Sequence, residues 1–151
     1  RQYEDSIGGR LAHVIEQNAP HRTFLVLSPG IYPLWPMINY VEGRMTMRFL
    51  SLWVLQGVYA TCDDFPALYN PPDTMGEPEK FVFDAVSEDF AREHPDLLIV
   101  DRIAGIPRCQ GKEFDYLEYF LQNRVFADAF EDYEHLMDFD RYIIYRRKKK
   151  K

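Results

Sequence analysis

Asp101 and Arg102 directly follow the apolar run 97–100, and an open α/β sheet takes its ligands at the carboxyl ends of its strands. This places the pair where a ligand would be met. Arg48, Asn39 and Tyr40 can converge on the same edge. The competing role for Asp101 and Arg102 is a structural ion pair or loop anchor, since position in a fold does not by itself assign function.

Other residue types that could do chemistry lack the spacing it needs. Gly8 and Gly9 have no strand before them and no third glycine at dinucleotide spacing, so no phosphate-cradling strand-to-helix turn is read there. His13, His21, His94 and His135 are scattered, with no pair at i, i+4, and no metal site is read from them. Ser28 precedes Pro29 and Gly30, but a nucleophile elbow needs glycine two residues before the serine, and Val26 stands there. Asp63 and Asp64 read as solvated turn residues. No catalytic residue and no cofactor is assigned.

The elements that must position these residues follow from apolar periodicity. Ile7, Leu11, Val14 and Ile15 form one helical stripe that starts near Asp5 or Ser6 and stops before Pro20. Residues 23–27 are β-prone throughout, as in a strand covered on both faces. Residues 31–40 hold Pro33 and Pro36 and read as an ordered loop. Residues 49–59 form the next apolar run, read as a second strand, although 44–53 equally suits a short helix or a connection.

Residues 62–76 read as a long loop. Glu77 and Pro78 then open a second long helix, with Phe81, Val82, Ala85, Val86 and Phe90 on one face and Pro95 after its end. The buried strand 97–100 follows, completing a parallel crossover. After a loop over 103–112, Phe114, Leu117, Phe120, Leu121, Phe126 and Phe130 mark a third helix or a broken pair. Residues 134–139 and 142–145 close the chain as a hairpin. The predicted fold is a three-layer, Rossmann-like α/β unit: a short, mostly parallel sheet, about three flanking helices and a C-terminal hairpin.

Composition agrees with one folded unit. The chain has 151 residues, 46% hydrophobic and 28% charged, the balance of an ordinary globular domain rather than of disorder. Residues 1–145 read as a single soluble domain and 146–151 as a basic tail. The net charge is −6, and setting aside the six cations of the tail leaves −12 (−6 less 6), which argues against general affinity for nucleic acid. No apolar run reaches the roughly 18 residues of a membrane-spanning helix. The sequence begins at Arg1, without an initiator Met or a signal segment, and is read as processed or cut from something longer.

Several segments together carry a family likeness. Phe24 with the residues through Pro33, Pro36 to Tyr40, the run from Arg48 to Trp53, and Tyr59 resemble in order and spacing the soluble C-terminal domain of bacterial polytopic membrane glycosyltransferases of the polyprenyl-phosphate-sugar-dependent superfamily. The stretches 79–90, 95–101, 114–117 and 142–146 continue the likeness over nearly the whole chain. The likeness lies in apolar and aromatic patterning, without a diagnostic catalytic motif. In that superfamily the catalytic carboxylate lies in an early extracytoplasmic loop of the membrane part, so the resemblance assigns no catalytic residue here.

The resemblance implies a periplasmic domain of an integral membrane protein, on the outer side of the inner membrane. It would be non-catalytic alone, packing over the membrane active site or positioning an acceptor. The implied partners are the membrane-embedded part and a lipid-linked sugar or acceptor glycan. The crowded segment 31–40, with Tyr32 and Trp35, would face that part or an acceptor lipid, beside Arg44 and Arg48. Cys62 and Cys109 each follow an expected strand and permit one disulfide if their Cα atoms lie about 4.4–6.8 Å apart; this pair is a departure from the family pattern. The competing functions are a stand-alone cytoplasmic α/β ligand-binding protein or enzyme with its site at Asp101 and Arg102, and a pure interaction module.

Overall fold

The computed structural model describes residues 6–28, 43–49, 51–59, 69–102 and 114–149. The expectations for Tyr32, Trp35, Asn39 and Tyr40, and for a Cys62–Cys109 bridge, lie outside the described residues.

Helix α1 (Ile7–Asn18) begins where the Ser6 hydroxyl accepts the Gly9 N–H at 3.1 Å, satisfying one of the amides that a helix start leaves open. Its apolar stripe buries Leu11, Ala12 and Ile15. The next element, strand β1 (Thr23–Leu27), is covered on both faces. Its side chains alternate as a pleated strand requires: Phe24 and Val26 pack on α1, whereas Leu25 and Leu27 enter the opposite core. Only four residues separate α1 from β1, so the helix doubles back along the strand and Ser6 lies near the Leu27 end.

The run 49–59, expected as a second strand, is not one. A two-residue strand, β2 (Arg44–Met45), precedes it and pairs in parallel with β1, and Trp53–Val58 forms the short helix α2. The helical spacing of Leu52, Leu55 and Tyr59, all buried, decides the outcome over β-propensity. After a single 3₁₀ turn at Pro72–Thr74 comes the long helix α3 (Glu77–Glu93), with Glu77 and Glu79 in its first turn and His94 in the left-handed conformation (φ 42°) as its C-cap. The acidic start suits the helix dipole. Phe81, expected on the core face, is 59% exposed and meets Phe49 edge-on. The buried stripe instead runs through Glu79, Val82, Phe83, Val86 and Phe90.

Strand β3 (Leu97–Asp101) lies beside β1 in parallel, from Phe24 opposite Leu97 to Leu27 opposite Val100. The third helical stretch is the broken pair: α4 (Tyr116–Leu121), capped by the Asp115 carboxylate, and α5 (Arg124–Phe130), capped by the Asn123 side chain. The hairpin of β4 (Tyr133–Phe139) and β5 (Tyr142–Arg147) completes an open, mixed five-stranded sheet of order β2-β1-β3-β5-β4. The fold is α/β, with a parallel centre and an antiparallel C-terminal hairpin.

Two cores flank the sheet. The larger joins α2, α3, α4 and α5 to Leu25, Leu27, Leu98 and Val100 through a chain of contacting rings that includes Phe83, Phe90, Phe120 and Phe126. The smaller joins α1 to Phe24, Val26, Leu97, Ile99, Tyr142 and Ile144. Burying one such phenylalanine contributes about 1.5–3 kcal/mol, so the sheet is held chiefly from the larger side. Arg146 and Arg147, read as the first residues of a tail, are the last residues of β5.

Candidate functional site

Strand order fixes where a ligand would be met. From β1 the chain continues to β2 on one side, while β3 lies on the other, so the crevice beyond the carboxyl ends of β1 and β3 is the point where the sheet's winding changes direction. Ser28 stands at the end of β1 and Asp101 at the end of β3. Both are buried, and the Ser28 hydroxyl donates to Asp101 Oδ2 at 3.0 Å.

A third strand end contributes as well. Asp101 pairs in register with Tyr142, which brings the β4–β5 turn to the same crevice. Arg141 in that turn reaches Asp101 Oδ2 at 3.3 Å, and its Nε donates to the Tyr142 hydroxyl at 3.1 Å. The carboxylate is thus matched by a guanidinium only 26% exposed, the arrangement that makes a buried charge tolerable.

Two phenols complete the setting. Tyr116, in the first turn of α4, is buried, and its hydroxyl pKa is pushed up, first by burial and then by the Asp101 charge. Burial also raises Tyr142, with Arg141 opposing and Asp101 reinforcing, to about 12. Both remain protonated at neutral pH, and the Tyr142 hydroxyl accepts from Arg141 Nε.

Of the residues singled out from sequence, Asp101 belongs to this constellation and Arg102 sits at its rim. The Arg102 amide donates to the Arg141 carbonyl at 2.8 Å, and its side chain turns outward to the Asp140 carbonyl at 2.8 Å and to Asp138 at 3.7 Å. Asp138 is held below the usual carboxylate range, first by its hydrogen bond with His135 and with help from the Arg102 charge.

Arg48 engages helix α3 instead. Its Nε donates to both Asp89 carboxylate oxygens (3.2 and 3.0 Å), its Nη2 to Oδ1 at 2.7 Å and its amide to Oδ2 at 2.9 Å. Arg92 adds a bond at 2.9 Å. This is a structural clasp between the segment after β2 and α3.

Sequence reasoning missed three residues at or near the site. Ser28 was weighed only as a nucleophile, and Arg141 as a turn residue. Glu79, given no role from sequence, is fully buried: Tyr59 and Tyr119 donate to its Oε2, the latter at 2.8 Å, and Asn70 Nδ2 donates to Oε1 at 2.9 Å. The Asn70 amide donates in turn to the Tyr59 hydroxyl at 3.0 Å. Among the described residues, no three His, Cys, Asp or Glu side chains gather as metal ligands, and no helix is long and apolar enough to cross a membrane.

Comparison with known proteins adds no relative. No family model matches the chain, and no curated protein or solved structure is similar to it. The functional reading therefore rests on the site together with the segment likeness described above.

Proposed function

We propose that the chain is the periplasmic, non-catalytic α/β domain of a membrane glycosyltransferase that uses a polyprenyl-phosphate sugar, and that it positions the acceptor glycan over the membrane active site. The observation supporting this reading is the Ser28–Asp101–Arg141 constellation across the crevice between β1 and β3. A carboxylate, a guanidinium and neutral phenols are the groups that hydrogen-bond sugar hydroxyls. They suit holding better than turnover: the Ser28 hydroxyl donates to a carboxylate that is also paired with Arg141.

The direction of α1 agrees with such a role. Ser6, the cap of α1, lies at the same end of the sheet as Asp101, and the α1 residue Arg10 stacks on Phe139 beside the β4–β5 turn.

The test is titration of the isotopically labelled chain with oligosaccharides of varied composition, followed by backbone NMR. Shifts confined to Ser28, Asp101, Arg141 and Tyr142, and absent in Asp101→Asn, are expected. Saturating sugar that moves none of these signals removes the reading. The genomic frame upstream of Arg1 separates the alternatives, because a frame without membrane-spanning segments turns the same site into that of a stand-alone ligand-binding protein.

A further inference from the structure

At the opposite end of the sheet lies an open groove of about 1070 Å³, between the C-terminal ends of α1 and α3 and the end of β5. Five cations line it, Arg22, Arg146, Arg147, Lys148 and Lys149, against the carboxylates of Glu16, Asp96 and Asp132. A net positive groove on a chain of net charge −6 is a local arrangement, not a consequence of composition.

Three of the cations are engaged within the protein. Arg147 donates to the His94 carbonyl at 2.7 Å and pairs with Asp96 at 3.2 Å. Lys148 Nζ donates to the Glu131 carbonyl at 3.0 Å, and Arg146 pairs with Glu134 at 2.9 Å. The bonds to the His94 and Glu131 carbonyls answer the partial negative charge at two helix ends. Among the described residues, Arg22 and Lys149 are left over.

Arg22 is the informative one. Its guanidinium Nη1 is shielded from solvent and meets no acceptor among the described residues, so a ligand in the groove reaches that atom through a shift of the half-buried Arg22 side chain. An N–H in that position keeps its desolvation penalty uncompensated, and such a group calls for a partner. The backbone is strained as well, with φ 58° at a non-glycine residue. That conformation is pinned from both sides: the Arg22 amide donates to the Ala19 carbonyl at 3.0 Å, and the Arg44 amide to the Arg22 carbonyl at 2.7 Å. The pinned backbone fixes where the Arg22 side chain leaves the chain, at the wall of the groove.

We propose that this groove is an anion site for a phosphate-bearing ligand, with Arg22 as its fork-shaped donor and Lys149 as a second charge. Phosphate supplies several acceptor oxygens at once, matching a planar guanidinium and an ammonium better than a single carboxylate does. The site is separate from the Asp101 crevice, and neither reading depends on the other. A soluble phosphate ester and a lipid headgroup share this chemistry.

Calorimetric titration of the whole chain with pyrophosphate, against chloride at matched ionic strength, tests the assignment. Arg22→Gly removes the guanidinium while adopting φ 58° without strain, so its melting temperature should not fall. Wild-type binding that weakens at least about tenfold in Arg22→Gly is expected, the loss of one charge-assisted donor. Flotation with phosphatidylcholine vesicles, with and without phosphatidylglycerol, separates the two sources. Arg22-dependent capture by the anionic vesicles alone, displaced by pyrophosphate, indicates a headgroup; pyrophosphate binding without capture indicates a soluble ester. Equal binding by wild type and Arg22→Gly, or no response of the wild type to pyrophosphate or anionic vesicles, overturns the proposal.

Discussion

The Ser28 hydroxyl donates to the Asp101 carboxylate at 3.0 Å, linking residues 73 positions apart across the ends of two adjacent parallel strands. The bond and the Arg141 ion pair together allow an ionised carboxylate to stay buried there. Ser28→Ala is expected to lower stability by about 1–3 kcal/mol, because one donor to a buried charge is lost. Arg141→Ala should cost at least as much, whereas Ser28→Thr, which keeps the hydroxyl, costs less. Chemical denaturation of the three variants checks the order.

The second prediction concerns Glu79, which accepts from Tyr59, Tyr119 and Asn70. Glu79→Ala removes the shared acceptor of two buried phenols and the half-buried Asn70 amide and is expected to cost about 3 kcal/mol or more. Glu79→Gln keeps a carbonyl oxygen for the phenols and loses less, provided the Asn70 amide turns over. Thermal melts that rank the alanine variant above the glutamine variant would contradict the network.

Acid should act through Asp89. Burial opposes ionisation of its carboxyl, but hydrogen bonds and charge from Arg48, joined by the Arg92 charge, outweigh that and hold the pKa below the usual range. A depressed folded-state pKa contributes stability above the unfolded value, about 4, that is lost as pH falls through the folded value. Wild-type stability should therefore decline below about pH 4. Asp89→Asn, which cannot ionise, should show a shallower decline. Denaturation midpoints between pH 7 and 2, compared for the two proteins, decide the matter.

Alkali should act through the tyrosines. Burial is the first cause of the raised pKa of Tyr59, Tyr69, Tyr116, Tyr119, Tyr133, Tyr142 and Tyr145. A raised folded-state pKa contributes stability below the unfolded value, about 10, and that contribution is lost as pH rises through the folded value. Unfolding above about pH 10, accompanied by a cooperative rise of the phenolate ultraviolet band, is expected. A smooth, non-cooperative titration of all phenols at their ordinary pKa would show that these hydroxyls are not buried.

What could be read in advance divides along physical lines. α1, β1, α3, β3 and the hairpin are set by local periodicity and by the punctuation of Pro20, Pro95 and the turn at Asp140 and Arg141, so sequence alone locates them. The run 49–59 is not legible in this way, because its apolar residues suit strand or helix, and packing of Leu52, Leu55 and Tyr59 against α3 decides. Asp101 was legible as the last residue of a buried strand. Its partners were not: Ser28 and Arg141 reach it only through the strand order β1-β3-β5, a long-range property. Glu79 was hidden for the same reason, since its three donors come from separate places in the chain.

The place of β5 carries a consequence for synthesis. This strand, late in the chain, is wedged between β3 and β4. Until residues 142–147 have left the ribosome, the edge of β3 has no neighbour, β4 has nothing to pair with, and Tyr142 and Ile144 are missing from the core beneath α1. The growing polypeptide must therefore wait, with an apolar edge open to wrong partners, and native assembly is a late, all-at-once event. We expect a nascent chain arrested after Phe139 to remain protease-sensitive and to be captured by holding chaperones. Arrest with Arg147 fully emerged should yield the protected fold, and protection already present at the shorter length would refute this order of events.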